Sequence, residues 1–350
     1  MIIIMEPGAT GEQIDKVVQK LEDNGFRINM NHGDVLTVIA AIGDKRLVQP
    51  HSIASLDGVR EVKLIQEPYK LASRESKKED TVIEFSNGVK IGGNNRPVVM
   101  AGPCSVEADY NGLLDVARAV KAAGGQILRG GAFKPRTSPY DFQGLEEKGL
   151  ELLDRAKRET GLLIVTEVMD TLDLPMVADV ADIIQIGARN MQNFKLLKAV
   201  GKCRKPVLLK RGSAATIREF LLAAEHIMYA GNEQVILCER GIKGVDSSST
   251  RNTLDLAAVP VIHKFSHLPI IVDPSHGTGR RYLIEPMSKA ALISGANGLM
   301  IEVHHDPDHA SSDGAQSLTI EQFNDVMKNI NYMLDRLNWD EVDARVSQQA

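Results

Sequence analysis

From Pro97 onward the chain repeats one unit eight times: a short apolar run, a polar exit, then a stretch with helical periodicity. The runs are Val98–Ala101, Ile127–Arg129, Leu163–Glu167, Ile183–Ile186, Val207–Lys210, Val235–Cys238, Ile270–Asp273 and Leu299–Glu302. Helical patterns lie between them at Tyr110–Ala123, Gly144–Glu159, Leu172–Val180, Gln192–Val200, Thr216–Ala230, Leu254–Val261 and Leu283–Ser294, with a last helix at Ile320–Leu337. Runs this apolar read as strands buried on both faces, as in a parallel sheet covered by helices. Eight of them spell a (β/α)8 TIM barrel. A doubly wound sheet would not need eight strands and usually carries a glycine-rich fingerprint after its first, which is absent here.

The region before the barrel follows a different rhythm. Ile2–Met5, Phe26–Met30, Val35–Ile42 and Val59–Leu64 read as strands, with helices at Thr10–Asn24 and Lys45–Leu56. The order β-α-β-β-α-β is the ferredoxin-like split βαβ, so residues 1–66 form a small α+β domain of their own. It holds no cluster of catalytic side chains, only the lone His32 and His51, which points to a regulatory or structural role. Residues 67–79 are polar and charged, as a linker would be. In residues 80–92, Asn87-Gly88 between alternating strands predicts a two-residue hairpin that caps one end of the barrel. The barrel then occupies residues 93–340, and 341–350 is a tail.

Composition narrows the class. The chain has 350 residues, 43% hydrophobic and 25% charged, with a net charge of −5. That balance gives no general reason to bind nucleic acid. No stretch reaches the roughly 20 apolar residues of a transmembrane helix, and the opening MIIIM is too short and lacks the basic flank of a signal peptide. Cys104, Cys203 and Cys238 are the only cysteines, so the expectation is a cytoplasmic chain with reduced thiols.

The chemistry sits at the strand exits. Reading past each run gives Cys104, Arg129, Glu167, Arg189, Lys210 with Arg211, Glu239 with Arg240, Asp273 with His276, and Glu302. In a (β/α)8 barrel all of these open onto the C-terminal face, where active sites lie. Arg129, Lys134, Arg189, Lys210 and Arg240 would converge there, a charge density that calls for a ligand with several negative charges. For any one of these cations the alternative is a salt bridge within the barrel. Arg136 and Thr137 lie further out and could hold a second anion. Cys104, His276, Glu302 and Asp313 form a mixed thiolate, imidazole and carboxylate set suited to Mn, Fe, Co or Zn. Spacing alone leaves His304, His305 and His309 open as rivals to Asp313.

The motifs GPCSVE (102–107), LRGGAFKPRTSPY (128–140), TEVMD (166–170), QIGARNMQN (185–193), LLKRG (208–212), CERG (238–241), DPSHGTG (273–279) and IEVHHDP (301–307) resemble, as a set, those of the 3-deoxy-D-arabino-heptulosonate 7-phosphate (DAHP) synthase family. With its ferredoxin-like domain the chain is most similar to the short type I form, over residues 90–340 and, less specifically, the N-terminal domain. Lys134-Pro135-Arg136-Thr137 points away from the sister enzyme of Kdo 8-phosphate synthesis, which typically carries Asn before Arg-Thr.

The resemblance implies condensation of phosphoenolpyruvate with erythrose 4-phosphate, the entry to aromatic amino-acid biosynthesis. It implies that Arg129, Lys134, Arg189, Lys210 and Arg240 bind phosphoenolpyruvate and that Pro135, Arg136 and Thr137 bind the aldose phosphate. Cys104, His276, Glu302 and Asp313 would hold one divalent ion, Mn, Fe, Co, Zn or Cd. Lys134 and Glu167 would act on the reacting atoms, the latter on water or as a counter-charge. The family further implies feedback inhibition by an aromatic amino acid, tyrosine or phenylalanine, at the N-terminal domain, and a homotetramer. Kdo 8-phosphate synthase and a non-catalytic phosphosugar or amino-acid sensor are the alternatives.

Overall fold

The computed structural model describes residues 1–336 apart from 34–35, 44–46, 64–67, 136–137, 139 and 247. Two compact units emerge, Met1–Glu79 together with Phe265–His267, and Asp80–Lys264 with the chain from Leu268 onward.

In the first unit, strands β1 (Ile2–Met5), β2 (Arg27–His32), β3 (Thr37–Ile42) and β4 (Val59–Lys63) form an antiparallel sheet in the order β2-β3-β1-β4. That order, with a helix after β1 and another after β3, is the ferredoxin-like arrangement. Helix α1 (Gly11–Glu22) starts at a capping box in which Thr10 accepts from Gln13 N and the Gln13 side chain accepts from Thr10 N, satisfying two end groups reciprocally. Its Ile14, Val17 and Leu21 pack with Ile3, Met5, Ile39 and Phe26.

Helix α2 (Pro50–Ala54) is much shorter than the pattern Lys45–Leu56 suggests. Pro50 lacks an amide proton and clashes inside a helix but fits its first turn, so the helix begins there. Residues 44–46, part of the same expectation, lie outside the described residues. So do Val35 and Leu64, the expected ends of two strands.

The expected linker is also corrected. Tyr69, Lys70, Leu71, Ala72, Ser73 and Ser76 are buried. Lys70 Nζ donates to Ala41 O, Arg74 N donates to Phe265 O (2.8 Å), and His267 Nε2 lies 2.7 Å from Leu71 O. Polar composition suggested solvent, but these groups find backbone partners inside the unit.

The second unit is a closed parallel barrel of β7 (Val98–Gly102), β8 (Ile127–Arg129), β9 (Leu163–Val168), β10 (Ile183–Ile186), β11 (Val207–Lys210), β12 (Val235–Glu239), β13 (Ile270–Val272) and β14 (Gly298–Glu302), following strands β5 (Ile83–Glu84) and β6 (Lys90–Ile91). β14 closes on β7 with Glu302 opposite Gly102. Met100, Ile127, Val165, Leu208, Ile236, Cys238, Ile271 and Met300 fill the interior, and Ile83 and Ile91 of the hairpin join the same cluster. The hairpin loop has three residues rather than two. Phe85 N donates to Val89 O and Gly88 N to Phe85 O, with Gly88 left-handed (φ 84°), so the glycine supplies the extra residue of a bulged turn.

Between the strands run α3 (Tyr110–Ala122), α4 (Glu146–Thr160), α5 (Leu174–Val180), α6 (Phe194–Cys203), α7 (Ile217–Tyr229), α8 (Ala258–Phe265), α9 (Pro274–Thr278) and α10 (Ile284–Ile293), with α11 (Ile320–Leu334) last. Among the starts that differ from the pattern, α4 and α8 do so for backbone reasons. Gly144 is left-handed (φ 101°), so α4 starts after it. Pro260 belongs in a first turn, so α8 starts at Ala258 rather than Leu254.

Candidate active site at the barrel mouth

Each strand hands its last residue, or the first residues of the next loop, to one mouth. Arg129, Lys210 and Glu302 end β8, β11 and β14, and Cys104 follows β7 by two residues. The approach is close: a Cβ on Gly102 (φ 150°) would overlap Arg129 O, so this position accepts only glycine.

Four ligand atoms meet there. One from each of Cys104, His276, Glu302 and Asp313 lies within 4.8 Å of the others. Cys104 Sγ donates to Asp313 Oδ2 (3.1 Å), and His276 Nε2 lies 3.1 Å from Glu302 Oε1. Asp273 orients the imidazole. As N-cap of α9 it accepts from His276 N (2.9 Å) through Oδ1, while Oδ2 meets His276 Nδ1 (2.7 Å), leaving Nε2 to face the cluster. The rivals go elsewhere. His304 pairs with Glu107 (3.5 Å), His305 with Asp109 (3.3 Å) and His309 with Asp306 (2.8 Å).

The electrostatics are those of a buried, tightly coupled group. Burial and the nearby Glu302 carboxylate push the Cys104 thiol up to about 11. Burial also raises Asp313, but His276, Arg251 and Lys134 outweigh it and hold that carboxyl at about 2. Glu302 and Asp273 are likewise held below the usual carboxylate range, against burial, by His276 with Arg129 and by His276 with Lys210. Burial keeps His276 below its ordinary value, so the ring is neutral at pH 7 and can serve as a ligand. A soft thiol, a neutral imidazole and two ionised carboxylates together fit a divalent transition metal.

Beside the cluster opens a cavity of about 310 Å³. Seven cations line it, Arg129, Lys134, Arg189, Lys210, Arg240, Lys243 and Arg251, against two carboxylates, Glu167 and Asp313. The question of internal salt bridges has a divided answer. Arg129 bonds Glu302 (3.0 Å) and Lys210 bonds Asp273 (2.7 Å), both pairs buried. Among the described residues Arg189 donates only to the carbonyl of Pro135 (3.1 Å), and Arg240 has no carboxylate partner. Burial lowers the Arg240 guanidinium against the opposing pull of the Asp273 carboxylate. Lys134 stands between cavity and cluster, its Nζ 3.0 Å from Cys104 Sγ and 3.1 Å from Cys104 O.

Glu167 is fixed by Gln185, whose Nε2 donates to Oε2 (2.8 Å), while Oε1 is buried with no hydrogen-bond partner among the described residues. Gly187 makes room for it, since a Cβ there would overlap Oε1.

Two residues placed at this face by their strand exits turn away from it. Arg211 NH1 binds Glu239 and Asp255 (both 2.8 Å), and Glu239 also accepts from Gly241 N (2.6 Å), so they brace loops rather than line the cavity. Adjacent strand residues face opposite ways, which is why Lys210 and Arg211 part company. Arg136 and Thr137 lie outside the described residues. Lys243, Arg251 and Gln316 escaped notice in the sequence because they sit in loops without periodicity. Asp273, within DPSHGTG, was legible as a strand exit but not as the partner of His276.

A cation-rich cavity beside a four-donor cluster, at the C-terminal mouth of a (β/α)8 barrel, defines an enzyme for anionic, phosphorylated substrates. Comparison with known proteins gives the family. Residues 80–336 match the DAHP synthetase I family, and residues 1–67 match the DAHP synthase ferredoxin-like domain. The chain belongs to the DAHP synthetase I family. It is 51% identical over 337 residues to the phospho-2-dehydro-3-deoxyheptonate aldolase of Thermotoga maritima, covering 96% of this chain and 98% of that protein. The crystal structure of the Thermotoga maritima DAHP synthase superposes with a TM-score of 0.75 over 95% of this chain and 97% of that one. A 2-dehydro-3-deoxyphosphooctonate aldolase of Syntrophotalea carbinolica is more distant, 32% identical over 260 residues, covering 69% of this chain and 91% of that protein.

Proposed function

We propose that the cavity and the cluster beside it are the active site in which this family member condenses phosphoenolpyruvate with erythrose 4-phosphate and water to DAHP and phosphate, the first step of the shikimate pathway. The observation behind this reading is the surplus of cations, seven against two carboxylates, on the wall of a cavity that opens beside a metal-type ligand set. Two phosphorylated substrates, one carrying a carboxylate as well, match that surplus.

Cys104, His276, Glu302 and Asp313 would hold one divalent ion, which supplies Lewis-acid polarisation of an aldehyde oxygen. Arg189 and Arg240, which have no carboxylate partners among the described residues, bind the phosphate and carboxylate of phosphoenolpyruvate, with Arg129 and Lys210 held in place by Glu302 and Asp273. Pro135, Arg136 and Thr137 receive the sugar phosphate. C3 of phosphoenolpyruvate attacks the aldehyde carbon, water adds at C2, and phosphate leaves. Lys134 neutralises the developing oxyanion or returns a proton to it. Glu167 accepts a hydrogen bond from the adding water through Oε1, which has no partner among the described residues.

The N-terminal domain binds an aromatic amino acid, tyrosine or phenylalanine, and the chain works as a homotetramer in the cytoplasm. No helix among the described residues is long and apolar enough to cross a membrane.

The test follows DAHP formation and phosphate release from the two substrates, with chelator and after metal is restored, and with each aromatic amino acid. Turnover should vanish with chelator and return with metal. Turnover indifferent to chelator, or faster with arabinose 5-phosphate than with erythrose 4-phosphate, would overturn the reading.

A further inference from the structure

We infer that Gln316 and Arg251 are a positioning pair that turns one oxygen of each cluster carboxylate inward and thereby sets the affinity of the cluster for its ion. The inference rests on the metal site proposed above. Each carboxylate divides its oxygens. Glu302 Oε1 faces His276 Nε2 (3.1 Å), while Oε2 accepts from Gln316 Nε2 (2.6 Å). Asp313 Oδ2 faces Cys104 Sγ (3.1 Å), while Oδ1 accepts from Arg251 NH1 (3.1 Å). Arg251 NH1 also donates to Gln316 Oε1 (3.0 Å), so the two outward oxygens are joined through one amide and one guanidinium.

The amide has one sensible orientation here. Its NH2 meets a carboxylate and its carbonyl a guanidinium, and the reverse would oppose like partners. Gln316 is 3% exposed and does not line the cavity, so its side chain serves the ligands and not the substrates.

Asp313 needs such restraint. It stands in left-handed backbone (φ 52°), a conformation that costs a non-glycine residue energy and persists only where neighbours determine it. The loop gives it no rigid element, since Asp313 only precedes a single 3-10 turn, Gly314–Gln316. Groups that hold ligands without touching the ion typically change metal affinity about 10- to 100-fold when removed.

The experiment titrates Mn(II) into chelator-stripped chain and follows the free ion by electron paramagnetic resonance, for the parent, Gln316→Met, Arg251→Gln and Cys104→Ala. Gln316→Met keeps the volume and removes both hydrogen bonds. Its Mn(II) affinity should fall at least about tenfold, with turnover recovering at excess Mn(II) and KM for phosphoenolpyruvate within twofold of the parent. Affinity within twofold of the parent would overturn the inference, as would a loss of turnover that excess metal does not restore. Should Gln316→Met fail to fold, Arg251→Gln, on a side chain 41% exposed, decides by the same affinity criterion. Cys104→Ala separates the two readings. If it binds Mn(II) as the parent does, the metal site itself falls. If it alone loses the ion while both other variants keep it, only the positioning pair falls.

Discussion

Two buried cysteines, one at the barrel mouth and one within the barrel, share a residue type and differ in everything around it. Burial raises both thiols. Cys238 packs among Leu208, Ile236, Ile271 and Met300, where a thiol is a small hydrophobe. Cys104 has Lys134 Nζ at 3.0 Å, Asp313 Oδ2 at 3.1 Å, and an imidazole and a second carboxylate within 4.8 Å. Burial makes neither thiol reactive. What separates them is a set of partners that would stabilise the thiolate once a cation arrives.

The largest expected effect breaks the pair outright. Cys104→Ala should lower turnover by about a thousandfold or more, because an ion worth several kcal/mol of charge stabilisation is lost. Cys238→Ala should keep turnover near the parent and cost about 1–3 kcal/mol of stability through the cavity it leaves. Parallel assays and melts of the two variants check this, and equal losses of turnover would erase the distinction.

Next comes the cation wall. Arg240→Ala should raise KM for phosphoenolpyruvate about 10- to 100-fold, the worth of a charge-assisted hydrogen bond or two, and leave Mn(II) binding alone. Arg211→Ala should instead lower the melting temperature, since Arg211 bridges Glu239 and Asp255 away from the cavity. A rise in KM without a change in melting temperature for Arg211→Ala would put it back at the site.

The N-terminal unit supplies a third contrast. A chain starting at Asp80 should keep turnover and lose inhibition by tyrosine or phenylalanine, as inhibition curves of the two chains would show. Retained inhibition would move the effector site to the barrel.

The smallest effect is a pH dependence of the metal-free chain. Asp313 is held at about 2, below its unfolded value near 4, so its contribution is present above pH 4 and lost as pH falls towards 2. It amounts to about 2 kcal/mol. Cys104 works in the opposite direction: pushed up to about 11, it contributes below its unfolded value near 9, and that contribution fades as pH rises from 9 to 11. Denaturant melts of parent and Asp313→Asn with chelator should diverge above pH 4 and converge near pH 2.

Much of this was legible in the chain. The eight apolar runs and the split βαβ order came through because burial imposes periodicity on sequence, and each of the eight barrel strands matches its run to within one residue at either end. Where pattern and structure part, backbone chemistry decided. Pro50 and Pro260 set helix starts, Gly88 added a loop residue, and residues 69–76 found partners that no polarity scale can foresee.

Residue by residue, the sequence determined which groups reach the mouth, because a strand exit in a closed barrel has only one face to open onto. Cys104, Arg129, Lys210, His276 and Glu302 follow from that rule. Only the tertiary structure decided how they pair: that Arg129 and Lys210 have carboxylates while Arg189 and Arg240 have none among the described residues, that Asp313 and not the loop histidines completes the cluster, and that Arg251 and Gln316 stand behind it. Pairing depends on distances of a few ångströms between residues far apart in the chain, 63 positions for Lys210 with Asp273 and 209 for Cys104 with Asp313, and side-chain periodicity carries no record of them.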